Sequence, residues 1–231
     1  MAEKGGIGVI IVAGGSGRRM GSALPKQFLM LHNRPVLAHT IDRVREALPA
    51  ARIVVVLPEE HIPLWRNLAA RFDIAGHEVT AGGNERFHSV RNGLAALGDD
   101  VRLIVVHDGV RPMASKKLIL RTVLEAENSG AAIPVVAPAD SCREIAEDGT
   151  SHPLDRSRLR MVQTPQTFRA EVLRQAYGQE FSEAFTDDAS VVEAAGYTVT
   201  LCDGERENIK ITTPSDLTMA EAVLNAREDE A

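Results

Sequence analysis

Four short apolar runs set the limits on what this chain can become. They are residues 7–12 (IGVIIV), 52–57 (RIVVVL), 101–106 (VRLIVV) and 131–136 (AAIPVV). Each has the length of a strand and little polar alternation, the mark of a strand covered on both faces. Helical segments lie between them. Residues 35–48 carry Val36, Leu37, Ile41, Val44 and Leu48 at helical spacing, and residues 61–72, 84–97 and 116–128 also read as helices, with Asn84 a candidate N-cap. Further along, 77–80 and 197–201 read as short strands and 169–177, 187–195 and 214–226 as helices, the last opened by Pro214. The alternation predicts an α/β fold, a mostly parallel sheet with helices on both faces.

In such a Rossmann-like arrangement, ligands sit beyond the carboxyl ends of the strands. Two polar segments fall there: the loop after residue 12 and the stretch His107-Asp108-Gly109-Val110-Arg111-Pro112. At 231 residues the chain is expected to form a single domain, 1–231. The rhythm breaks after Pro138, and residues 139–162 read as a protruding β-arm. A two-stranded ribbon is marginal alone in water, so the arm is expected to pack on a second subunit.

The loop after the first strand is the chemically richest stretch. Residues 9–26 read VIIVAGGSGRRMGSALPK, so an apolar run ends in Ala13, Gly14, Gly15, Ser16 and Gly17. Glycines let backbone N–H groups approach an anion closely. Arg18, Arg19 and Lys26 add positive charge, with Pro25 restricting the backbone before Lys26. A polyphosphate site follows. No GxxxxGK[ST] occurs, and Met20 stands where a GxGxxG fingerprint needs its third glycine, which argues against a dinucleotide oxidoreductase.

The net charge of −6 makes nonspecific nucleic-acid binding a poor fit, so cations for an anionic ligand must be gathered locally. Cys142 and Cys202 form no CxxC pair, and no run approaches a membrane span or signal peptide; a reduced, cytoplasmic protein is expected. Asp187-Asp188 at a helix start reads as cap and dipole partners rather than a metal pair. His107, with no histidine at ligand spacing and no nucleophile to activate, reads as structural.

The loop AGGSGRRM-x4-PKQF resembles the signature of sugar-phosphate nucleotidyltransferases. GGNERFHSV (82–90), HDGVRP (107–112), DRSRLRMVQTPQTF (155–168), TDDASVVE (186–193) and ENIKIT (207–212) follow in register. Together they resemble the cytidylyltransferase family acting on 2-C-methyl-D-erythritol 4-phosphate, over nearly the whole chain. The resemblance implies attack of the sugar phosphate on the α-phosphorus of CTP, with Mg²⁺ bridging phosphate oxygens. It implies Arg19 and Lys26 as catalytic cations and Ala13 to Gly17 as the triphosphate cradle. Gly82, Gly83 and Ser89 would read the cytosine; Asn84 stands where some relatives carry an acid.

The same resemblance assigns Asp108, Arg111, Ser141, Arg156, Thr186 and Lys210 to the second substrate, with Asp108 also a candidate metal neighbour. Ser141 replaces the usual threonine. Arm residues reach the neighbouring subunit's site in that family, implying a homodimer, and Arg18 receives no role. A ribitol-5-phosphate cytidylyltransferase, sharing the loop, the HDxxRP-like and the NIK segments, is the nearest alternative. A non-catalytic nucleotide-binding module is the other; the joint presence of Arg19, Lys26, Asp108, Arg156 and Lys210 weighs against it.

Overall fold

The computed structural model describes residues 6–15 and 24–229. Along the chain run β1 (Gly6–Val12), β2 (Met30–Leu31), β3 (Arg34–Pro35), α1 (Val36–Ala47), β4 (Arg52–Leu57), α2 (Ile62–Arg71) and β5 (Glu78–Ala81). Then come α3 (Arg86–Leu97), β6 (Val101–Asp108), α4 (Lys116–Ser129), β7 (Ala131–Val136), β8 (Arg143–Ile145) and β9 (Ser151–Pro153). The last elements are β10 (Met161–Val162), β11 (Gln166–Arg169), α5 (Ala170–Ala176), α6 (Asp188–Ala194), β12 (Thr200–Asp203) and α7 (Pro214–Asp229).

All four apolar runs are strands of one sheet. β1 lies at its centre, parallel to β4 and β6; β5 extends the sheet beyond β4. On the other side β11 runs antiparallel between β6 and β7, with β10 ahead of it along the same edge of β7. Ala132 pairs with Thr167 on one side and with Thr200 on the other, so β12, parallel to β7, closes that end. The sheet is therefore mostly parallel, as expected, with two short reversed strands, β10 and β11, that the sequence reading lacks. β12 begins three residues later than the 197–201 reading.

The two-residue period of the strands sends their side chains to separate layers. Val9 and Ile11 join a core with Ile41 and Val44 of α1, Trp65 of α2 and Leu118 of α4. Ile10, between them, joins Val90 and Leu94 of α3, Leu173 of α5 and Val191 of α6. Helix α3 lies unusually close to β1: a Cβ on Gly93 would stand 2.6 Å from Ile10 Cγ2, and one on Gly8 2.8 Å from Leu97 Cδ1. A smaller cluster, Leu31, Val110, Met113, Ile211, Ala220 and Leu224, docks α7 beside the β2–β3 turn.

Helix ends follow their local chemistry. Ser115 caps α4 by accepting the Leu118 N–H at 3.0 Å, and Gly130 ends it at φ 94°. Asp187 and Ser190 form a reciprocal capping box on α6, as the cap reading of Asp187 anticipated. At α3 the N-cap is Glu85 rather than Asn84, and its side chain makes no capping bond. Strands β8 and β9 pair only with each other, and all six of their residues are exposed. Met161 and Val162 return to the main sheet, so the protruding segment is shorter than 139–162.

Candidate active site

The carboxyl ends of β1, β4, β5 and β6 open onto a cavity of about 600 Å³. Four segments of the sequence reading meet there: Ala13-Gly14-Gly15 with Lys26, Gly82-Gly83 with Ser89, Asp108, and Lys210. Lys26 opens a single turn of 3-10 helix behind Pro25 and is buried. A Cβ on Gly15 would lie 3.4 Å from its Cε and 3.9 Å from its Nζ, so the ammonium stands against the glycine loop. Gln27 ties the two together, its Nε2 donating to the Ala13 carbonyl at 2.8 Å. Ser16, Gly17, Arg18 and Arg19 lie outside the described residues.

Gly82 and Gly83 are glycines for want of space. A Cβ on Gly82 would stand 2.8 Å from Ser89 Oγ, and one on Gly83 2.4 Å from the Cβ of His88. Ser89 Oγ accepts the Gly83 N–H at 3.1 Å, fixing the loop on the first turns of α3.

Asp108 ends β6, buried, with cations on three sides. Its Oδ2 lies 3.0 Å from Lys210 Nζ and 3.3 Å from Arg111 Nε, and its Oδ1 is 4.0 Å from an Nη of Arg86. Burial alone would raise its pKa, but Lys210, Arg86 and Arg111 outweigh that and hold the carboxyl well below the usual range. A carboxylate so surrounded has its charge offset by three side chains. Among the described residues no group of three His, Cys, Asp or Glu could hold a metal ion.

The segment 163–168 supplies the frame beneath these groups. The Asp108 N–H donates to Thr164 Oγ1 at 3.0 Å, and that hydroxyl pairs with His107 Nδ1 at 2.9 Å. His107 Nε2 is 3.3 Å from the Arg111 carbonyl, which can only accept. The imidazole is therefore neutral with its proton on Nε2 and a lone pair toward Thr164. Burial, first among the causes, pushes His107 down to about 4, which keeps it neutral near pH 7. Gln163 exchanges two hydrogen bonds with the Glu205 backbone, and Asn208 donates to the Thr164 carbonyl at 2.8 Å. Gln166 accepts from the Ala189 N–H and donates to Asp187, anchoring α6. Sequence reasoning read these residues only as a family signature; two glutamines and a threonine around Pro165 were the available signal.

Arg86 was missed altogether. It lines the cavity and bonds the fully buried Asp188 at 2.6 Å, whose other oxygen accepts the Tyr177 hydroxyl at 2.6 Å. Asp188 is thus a buried ion-pair partner as well as a helix-start acid. Arg111, half-buried beside Asp108, also donates to the Asn208 carbonyl at 2.8 Å. Four expected residues are not part of the cavity lining: Arg111, paired with Asp108; Ser141 and Arg156, exposed on the arm, Arg156 donating to the Ala139 carbonyl at 2.6 Å; and Thr186, exposed before α6.

This geometry, a glycine-and-lysine loop joined to a small-residue loop and a cation-ringed carboxylate, can hold two anions side by side. The sequence profile of the 2-C-methyl-D-erythritol 4-phosphate cytidylyltransferases matches residues 7–226. The chain belongs to that family. Among cytidylyltransferases of this name, one from Bacteroides thetaiotaomicron is 50% identical over 217 residues, covering 94% of this chain and 98% of its own. One from Porphyromonas gingivalis is 49% identical over 219 residues, covering 94% and 97%. The crystal structure of a Thermus thermophilus cytidylyltransferase of the same name superposes with a TM-score of 0.77 at 33% identity, covering 95% and 99% of the two chains. That of an Anaerococcus prevotii 4-diphosphocytidyl-2C-methyl-D-erythritol synthase gives 0.81 at 30% identity, covering 96% and 97%. The family's architecture thus extends over the cavity and the arm alike.

Proposed function

We propose that this protein transfers the cytidylyl group of CTP to 2-C-methyl-D-erythritol 4-phosphate. The products are 4-CDP-2-C-methyl-D-erythritol and pyrophosphate, in the nonmevalonate route to isoprenoid precursors. Family membership supports the reaction. The observation that carries the reading at this site is the meeting of the loop with Lys26, the Gly82–Gly83–Ser89 corner and the Asp108–Lys210 pair around one cavity.

The chemistry asks little of acid or base. A phosphomonoester, with its second pKa about 6, is mostly a dianion near neutral pH and is already a nucleophile. One of its oxygens forms a bond to the α-phosphorus while the bond to the β-phosphate oxygen breaks, and pyrophosphate leaves. His107, with both ring nitrogens occupied, takes no proton in this scheme. Lys26 offsets charge on the α-phosphate and leaving group, with Arg19 its partner, and backbone groups of residues 13–17 cradle the triphosphate. Gly82, Gly83 and Ser89 face the cytosine. Asp108 takes a substrate hydroxyl, with Arg111 and Lys210 holding the acid, Lys210 also facing the second phosphate. Mg²⁺, when bound with the triphosphate, would reduce repulsion between the two substrates.

Thr186 adds a further contact to the substrate phosphate. Arg156 and Ser141 complete the sugar-phosphate pocket by way of a homodimer, in which the arm of one subunit reaches its partner's cavity. Their separation from the cavity within one chain is consistent with this, as is the exposure of Ile145, Leu154, Met161 and Val162 in and beside the arm. The test is pyrophosphate release from CTP with Mg²⁺ and each sugar phosphate in turn. Turnover with methylerythritol phosphate at least tenfold above that with ribitol 5-phosphate is expected. The reverse preference, or release with neither, overturns the reading.

A further inference from the structure

Arg86 has two carboxylates within reach and bonds only one. Its guanidinium is 2.6 Å from Asp188 Oδ2 and 4.0 Å from Asp108 Oδ1. Asp188 is held in turn: it is fully buried, and its Oδ1 accepts the hydroxyl of Tyr177, whose ring stacks on Phe87 with centroids 4.8 Å apart. Asp108 is engaged through its other oxygen, Oδ2, by Lys210 and Arg111. Among the described residues no hydrogen bond reaches its Oδ1, although the residue lines the cavity.

A guanidinium freed from Asp188 has one carboxylate left to seek. The gap to Asp108 Oδ1 exceeds a charge-assisted hydrogen bond of about 2.9 Å by only about 1 Å. Closing it would put an arginine N–H where a substrate hydroxyl has to donate. We propose that Asp188 is a positioning residue for the sugar-alcohol phosphate: by holding Arg86, it keeps Oδ1 of Asp108 open to a substrate hydroxyl. The inference rests on the reading of Asp108 as the acceptor of that hydroxyl. It also gives the second acid of the TDDASVVE stretch a part in substrate binding that capping alone does not.

The experiment is steady-state kinetics on the full-length protein. Asp188→Asn keeps the shape and removes the charge, so the KM for methylerythritol phosphate should rise at least tenfold while that for CTP changes less than threefold. Adding Arg86→Gln to that variant removes the competitor, and the KM should fall again at least fivefold. A purely structural pair behaves otherwise: the second substitution compounds the first. An unchanged KM in Asp188→Asn, an equal rise for CTP, or a double variant worse than the single overturns the proposal. If Asp188→Asn alone does not fold, the double variant, an uncharged pair, decides: a KM raised less than tenfold supports the proposal and a larger rise overturns it. Wild-type turnover, measured alongside, separates the two claims. Its absence removes the functional reading itself, whereas normal turnover with the wrong variant pattern removes only the role of Asp188.

Discussion

His107 and Asp108 are consecutive and both buried, and both are held in their deprotonated forms, one neutral and one charged. His107 is neutral in the folded protein because burial pushes it down to about 4, against about 6.5 in an unfolded chain. Between those values the unfolded state binds more protons, so stability is complete above about pH 6.5 and is lost as the pH falls toward 4, by about 3 kcal/mol in all. Asp108, its carboxyl held low by Lys210, Arg86 and Arg111 against the opposing effect of burial, loses its contribution only below about pH 4. His39 and His77, both lowered chiefly by burial, act in the same sense as His107. Denaturant titrations across pH 4 to 7 should therefore show a shallower slope for His107→Gln than for the parent; an unchanged slope contradicts the assignment. Lys26 is the other residue on which much depends. Lys26→Ala removes the ammonium against the glycine loop and should lower kcat about 10²–10³-fold with the thermal midpoint little changed. Turnover near that of the parent contradicts the mechanism.

Helix α3 shows how an element can be tuned for the site it serves. It carries Ser89 and Arg86 into the cavity from its first turns and rests on β1 through Gly93. Glycine inside a helix ordinarily costs about 1 kcal/mol against alanine, so Gly93→Ala would stabilise an exposed helix. Here the added methyl meets Ile10 Cγ2 at 2.6 Å and Val56 Cγ2 at 3.1 Å, both in the buried core. Overpacking of about 1–3 kcal/mol wins, and the melting temperature should fall by several degrees; a rise contradicts the packing. Elements of this sort were legible in the sequence, because apolar runs and helical spacing report burial directly. β10 and β11 were not: they are two and four residues long, interrupted by Pro165, and their partners lie far away in sequence. The site was legible as motifs whose register the fold explains, since the carboxyl ends of parallel strands converge. The Arg86–Asp188–Tyr177 network was not, because it joins residues 86, 177 and 188, which no local pattern connects.

At the scale of the molecule, an acidic chain brings cations from three separate segments to its cavity. Lys26, Arg86 and Lys210 line the cavity of a protein whose net charge is −6, as a site for two anionic substrates requires. The β8–β9 ribbon, by contrast, has exposed residues throughout and no sheet partner beyond itself. In the proposed homodimer a partner subunit would cover it. Ile145→Asp combined with Met161→Asp should shift the protein from dimer to monomer in light scattering and depress turnover by raising the KM for the sugar phosphate. A monomeric parent with full activity contradicts the arm's role. The proposed reaction is a single direct displacement at the α-phosphorus, in which the protein aligns and neutralises but never forms a bond to the nucleotide. CTP made chiral at that phosphorus by sulfur substitution tests it most directly. Inversion of configuration in the CDP-linked product is predicted; retention, which requires a cytidylyl-protein intermediate, would contradict it.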